Sequence, residues 1–167
     1  IAAEEIGLAV ASHATSKIAD AEDLFRVGTF GFRGEALASI AEVSHLTIRS
    51  RQVGAEAGHE VEVVGGLRRD VAPCGCGAGT TIEVRNLFYN TPVRRKFLRA
   101  SQTEIGHCTE AFTRIALAQP AIHFTLRHND KLVFDLPPTG DWPQRIAALV
   151  GRDLEQGLIP LDNCDGN

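Results

Sequence analysis

The sequence predicts an α+β fold, with helices packed on one face of a mixed, mostly antiparallel sheet. Three observations carry that prediction. The elements run in blocks (helices, then strands, one long helix and a hairpin), and strands that do not alternate strictly with helices argue against a doubly wound parallel sheet. The segments with period-two alternation are short and bounded by turn residues. The 167 residues are 44% apolar and 23% charged, an ordinary globular balance with length for one core and part of a second domain.

Taken in order, IAAEEIGLAVASHA sets Ile6, Leu8, Ala9 and Ala11 on a buried helical stripe, with Glu4 and Glu5 near the positive end. Thr15, Ser16 and Lys17 interrupt it with hydroxyls and a cation. Asp20 caps a short helix, AEDLFRV, that ends at Gly28. VGTFGFRGEAL, Val27 to Leu37, brings three glycines to the start of a helix through GEALASIAEV. HLTIRSR (His45 to Arg51), HEVEVVG (His59 to Gly65) and TTIEVRNLF (Thr80 to Phe88) alternate as strands, and Pro73 to Gly79 reads as a loop between the last two. After Pro92, VRRKFL reads as helical. Ser101 and Glu104 form a capping box for a helix to about Ala118, stopped by Pro120. AIHFTLRH and KLVFDL make a hairpin around Asn129 and Asp130. Pro137 to Gly140 reads as a hinge, which divides the chain into a domain over 1–138 and the start of a second over 139–167, opening with the helix DWPQRIAALVG.

The totals exclude some classes. A net charge of −4 gives no bulk attraction to nucleic acid, so any DNA contact needs a local patch. No apolar run approaches the ~20 residues that cross a bilayer, and a cytoplasmic protein is expected. The chain has no Met and opens on Ile1, which leads us to expect further sequence on both sides. Of the four cysteines, Cys74 and Cys76 stand two apart with no second close Cys/His pair at structural-zinc spacing. Their spacing is too tight for a relaxed disulfide. Free reduced thiols in a loop, and no metal site, are the expectation.

Three segments have the chemistry to converge on one anion. Gly31 to Leu37 offers main-chain N–H groups at a helix start, where the dipole favours phosphate. A helix cap with a surface pair between Arg33 and Glu35 reads the same residues as plainly. His13 to Lys17 supplies hydroxyls and an ammonium that suit a phosphate, or a polar helix end. Thr80 and Thr81 enter a strand from a glycine-rich loop and suit either a base or simple strand propensity. A fourth segment, Asn90 to Phe97, sets Arg94, Arg95 and Lys96 beside Phe88, Tyr89 and Phe97, which suits DNA phosphate, a chain interface or a solvated helix face.

HATSKI, GFRGEALASI, GTTIEV and LFYNTPVRRKF, in this order and at these separations, closely resemble the MutL family of DNA mismatch repair proteins. That family belongs to the GHKL group of ATPases, with gyrase B subunits, histidine kinases and a heat-shock chaperone family. The resemblance covers about residues 1–138 and weakens beyond them. It implies a GHKL-type two-layer sandwich, truncated at its N-terminus, with an ATP site under a mobile lid. By the family pattern, Thr15, Ser16 and Lys17 lie in the first part of that lid. Arg33, Gly34, Glu35, Ala36 and Leu37 fall on the loop and helix start that cradle the triphosphate, and Thr80 or Thr81 matches a strand threonine near the adenine. Asn90, Arg94, Arg95 and Lys96 are expected at a DNA or dimer interface.

The resemblance also implies what lies elsewhere. The family's catalytic Glu and its Mg²⁺-binding Asn would precede Ile1, and the Lys that reaches the γ-phosphate would follow in the second domain, so no catalytic residue is assigned within the chain. Glu35 is not promoted to general base, because activating water needs a carboxylate held within hydrogen-bond reach of it. The whole protein is expected to hydrolyse ATP with Mg²⁺, to order its lid, to dimerise through its N-terminal regions, and to couple a mismatch-recognition protein and DNA to strand incision. This chain alone is expected to be inactive. Two other readings stay open: a non-enzymatic nucleotide-binding or interaction module, and another GHKL ATPase such as a topoisomerase subunit, which would lack the string NTPVRRKF. The Cys-Gly-Cys stretch has no place in the family pattern.

Overall fold

A computed structural model describes residues 1–14 and 34–151. Two compact units divide the chain, Ile1–Phe97 and Leu98–Asn167, so the stretch from Pro137 to Gly140 lies inside the second.

Strand β1 (His45–Arg51) is central to the first unit, and its alternation is strict: Leu46, Ile48 and Ser50 are buried while the residues between them are half-exposed. Successive strand side chains point to opposite faces, so one buried face follows from the spacing alone. Strand β2 (Gly58–Val64) runs antiparallel to β1 with Val61 opposite Ile48. Strand β3 (Leu67–Arg68) and strand β4 (Ala72–Cys74) both pair antiparallel with β2. Strand β5 (Gly79–Arg85) flanks β1 on the other side, with Ile82 opposite Ile48. The order is β3–β2–β1–β5, with β4 also on β2. Every pairing among the described strands is antiparallel.

Helix α1 (Ala3–Ile6), a 3₁₀ turn at Leu8–Val10 and helix α2 (Ala36–Glu42) lie over the face of β1 and β2. Ile6, Ala41, Leu46, Ile48, Val61 and Val63 form the core, each at most 3% exposed, with Ala9, Val10, Leu37 and Ile40 against it. Burying each of the larger aliphatics contributes about 1.5–3 kcal/mol, which makes this the main cohesion of the unit. The other face is charged. Arg49 reaches Glu60 at 2.8 Å and Glu83 at 3.6 Å, and Arg69 reaches Glu62 at 2.7 Å.

Two expectations are corrected here. The first helix does not run through Leu8 on a buried stripe. It stops at Ile6, the Gly7 carbonyl accepts the Arg68 guanidinium at 3.1 Å, and the tighter turn that follows rotates Leu8 outward to 58% exposure. The segment from Pro73 is not all loop, because Ala72 to Cys74 pairs with Glu60 to Gly58. Pro73 is tolerated there because β4 has β2 on one side only among the described strands.

Between β5 and helix α3 (Pro92–Arg95) the chain turns sharply, with Asn86 and Phe88 both in the left-handed region at φ 54° and 63°. A bulky residue rarely sits there. The turn is held to the end of α2, where the Val43 carbonyl accepts the Phe88 N–H at 2.7 Å and the Glu42 carbonyl accepts the Asn90 amide at 2.8 Å.

In the second unit, helix α4 (Ser101–Ala118) supports a hairpin of β6 (Phe124–His128) and β7 (Lys131–Leu136), and helix α5 (Trp142–Val150) packs on both. Asn129 and Asp130 at φ 47° and 62° make the two-residue turn that hairpins favour. Phe112 of α4 meets Phe124 edge-on at 5.9 Å and stacks on Phe134 at 5.8 Å. The expected capping box is not formed: Ser101 is already helical, and Glu104 instead accepts the Arg99 N–H at 2.8 Å.

Candidate functional site

Gly34 turns the chain into α2 in the left-handed region, φ 66°, a conformation that strains any side chain. Glu35 is the N-cap and Ala36 opens the helix. Ala38 and Ala41 are buried, and Leu37 and Ile40 rest on the core, so the sheet fixes where the helix end points. A helix leaves its first N–H groups without partners inside it and carries its positive dipole end there, which is where an anion gains most. A carboxylate at the N-cap competes with such an anion, but Glu35 is engaged: its Oε1 lies 2.7 Å from Nδ1 of His13.

Thr80 and Thr81 point to opposite sides of the sheet. Thr80 pairs with Ser50, and their hydroxyls are 2.8 Å apart on the face that carries α1 and α2. Thr81 pairs with Arg49 on the charged face. The helix start and Thr80 therefore share a side of the sheet that Thr81 does not. Next along β5 on that side, Ile82 and Val84 are 45% and 41% exposed, although their partners Ile48 and Leu46 are buried. Thr15, Ser16, Lys17 and Arg33 lie outside the described residues.

The basic segment follows the strained turn. Arg94 and Arg95 close α3, Lys96 is its C-cap, and all three are exposed. None forms an ion pair among the described residues. Val93 and Phe97 beside them are 68% and 78% exposed, so the surface mixes cations with apolar area. Asn90 does a different job within it, because its amide is spent on the Glu42 carbonyl. Sequence reasoning missed two partners, Ser50 under Thr80 and His13 under Glu35. His13 stands in the string HATSK; nothing in the spacing of Ser50 singled it out.

The α+β fold implied by the GHKL resemblance is present, with helices on one face of an antiparallel sheet, a left-handed glycine ahead of α2 and Thr80 on the helix-bearing face. No protein-family model matches the chain. It is 48% identical to the DNA mismatch repair protein MutL of Geotalea daltonii over 163 residues, 98% of this chain and 27% of that protein. It is 47% identical to MutL of an Anaeromyxobacter strain over 155 residues, 93% of this chain and 26% of that one. Among solved structures, the Aquifex aeolicus MutL ATPase domain complexed with ADP superposes with a TM-score of 0.66 at 34% identity, covering 78% of this chain and 52% of that domain. Over the stretch it spans, the chain belongs to the MutL family. It spans about a quarter of the length of the curated relatives it matches.

Proposed function

We propose that the protein carrying this chain is a DNA mismatch repair ATPase, and that the chain supplies the phosphate-cradling helix start, an adenine-side threonine and a basic surface. The observation that carries the reading is Gly34: a left-handed turn delivers the main chain to the start of a helix whose other side is locked on the sheet. The solved Aquifex aeolicus MutL domain that resembles the chain is complexed with ADP, which supports nucleotide as the ligand.

The residues present fit such a group. The first N–H groups of α2 would hold phosphate oxygens, and Gly34 lets main chain approach without a Cβ in the way. His13 holds the Glu35 carboxylate and lessens its competition with the phosphates. Between the two threonines, Thr80 is the adenine-side residue, since it shares the helix-bearing face, with its hydroxyl aligned by Ser50. Thr15, Ser16, Lys17 and Arg33 would complete the lid and cradle. When bound, ATP with Mg²⁺ supplies the hydrolysable phosphoanhydride; the Glu that would activate water and the Asn that would hold the metal are expected upstream of Ile1. Nucleotide-driven ordering and dimerisation would then carry the state to DNA and a mismatch-recognition partner, in the cytoplasm. Among the described residues no helix is long and apolar enough to cross a membrane.

The experiment uses the complete protein with a non-hydrolysable ATP analogue. Gly34→Val is expected to abolish nucleotide-induced dimerisation, and Thr80→Val to weaken nucleotide affinity more than Thr81→Val. Undiminished analogue-induced dimerisation in Gly34→Val, or a larger loss of nucleotide affinity from Thr81→Val, overturns the reading.

A further inference from the structure

We propose that Cys74 and Cys76 form a two-thiolate site for a thiophilic monovalent cation of the Cu(I) class. Cys74 ends β4, paired with Gly58, and Cys76 follows after Gly75, which has nothing within 4 Å of its missing side chain. Cys74 and Cys76 line the same pocket, and both are half-buried. Gly58 makes room for this: a Cβ there would collide with the Cys76 sulfur.

The surroundings select the ligand. The thiols line an open pocket of about 320 Å³ with Arg51 and Glu56. No group of three or more His, Cys, Asp or Glu side chains suited to a metal occurs among the described residues, so tetrahedral zinc lacks its ligand set. Soft thiolates favour Cu(I), which accepts two of them in a linear arrangement. Binding exchanges two thiol protons for one cation and leaves a centre with one negative charge. Arg51 suits that charge, since its buried Nε–H has no acceptor among the described residues although an Nη1–H reaches the Ala55 carbonyl. Arg49 stands nearby on the same face, already shared between Glu60 and Glu83.

The test titrates the 167-residue chain, with Cys108→Ser and Cys164→Ser in place, with Cu(I) under argon against a competing chelator. One ion per chain is expected, with two sulfur neighbours by X-ray absorption. Binding should be lost in both Cys74→Ser and Cys76→Ser, with unchanged circular dichroism. Arg51→Ala should keep the stoichiometry and weaken affinity about 10-fold, as neighbours of metal ligands do. Zn(II) at the same concentration should not be retained. Cu(I) binding that survives either serine variant, or that needs sulfur from two chains, overturns the proposal.

Discussion

Arg145 is the most consequential single side chain of the second unit. It is 1% exposed and has no carboxylate partner among the described residues. Its guanidinium instead donates to the carbonyls of Pro120, Ile122, Leu136 and Pro137, at 2.6 to 3.3 Å, and lies 5.9 Å from the centre of the Phe124 ring. Nη2 faces three of these carbonyls with its two hydrogens and Nη1 faces the Leu136 carbonyl, a spread over two nitrogens that the single ammonium of Lys does not reproduce. Arg145→Ala is expected to destabilise that unit by about 3 kcal/mol or more, read from the denaturant midpoint, with Arg145→Lys recovering little. Sequence reasoning did not find this residue, because a cation in an amphipathic helix reads as solvated. A second residue-scale prediction concerns Asp135. The His123 imidazole, 2.6 Å away, holds its carboxyl below the ordinary aspartate value, with help from Thr125. A carboxyl lowered on folding stabilises the fold above its unfolded value and loses that contribution as pH falls through the folded one. Thermal melts below about pH 4 should therefore steepen their loss in the wild type relative to Asp135→Asn; identical pH profiles would refute the link.

Elements differ in how plainly their residues announce them. β1 is legible to the residue, since strict alternation from His45 to Arg51 is broken on both sides by turn formers. The hairpin of β6 and β7 is legible from Asn129 and Asp130. β4 is hidden because Pro73 and the glycines after Cys74 are turn signals, while its pairing depends on β2, which is remote in sequence. α1 is overextended because a 3.6-residue stripe is blind to the Arg68 contact that ends it. At the candidate site, the glycine and threonine strings could be located from sequence, but not which threonine shares the helix face, since that depends on the register Thr80 to Ser50. The turn before α3 is held by long-range bonds to α2, so Asn90→Ala is expected to speed amide exchange over 88–97 and to cost about 1 kcal/mol. Unchanged exchange there would remove Asn90 from that role. Within the core, Ile48→Ala is expected to cost about 2–5 kcal/mol and Ile82→Ala much less, because only the first is fully buried.

For the chain as a whole, a net charge of −4 sets a background that repels DNA, so a DNA contact through the exposed cations of α3 would have to be local. Replacing Arg94, Arg95 and Lys96 by Ala in the complete protein should weaken DNA binding across sequences and flatten its salt dependence, by about one unit of slope per lost phosphate contact. An unaltered slope with lost dimerisation would assign the surface to a chain interface instead. The outer side of β5 has a further consequence. Among the described residues no strand pairs there, and Ile82 and Val84 flank that open backbone edge. Such a border invites another chain to extend the sheet unless a charge blocks it. In the 167-residue chain, light scattering should rise steeply with concentration, and Ile82→Lys should act as a gatekeeper that suppresses self-association while leaving the melting profile of the Ile48 core in place.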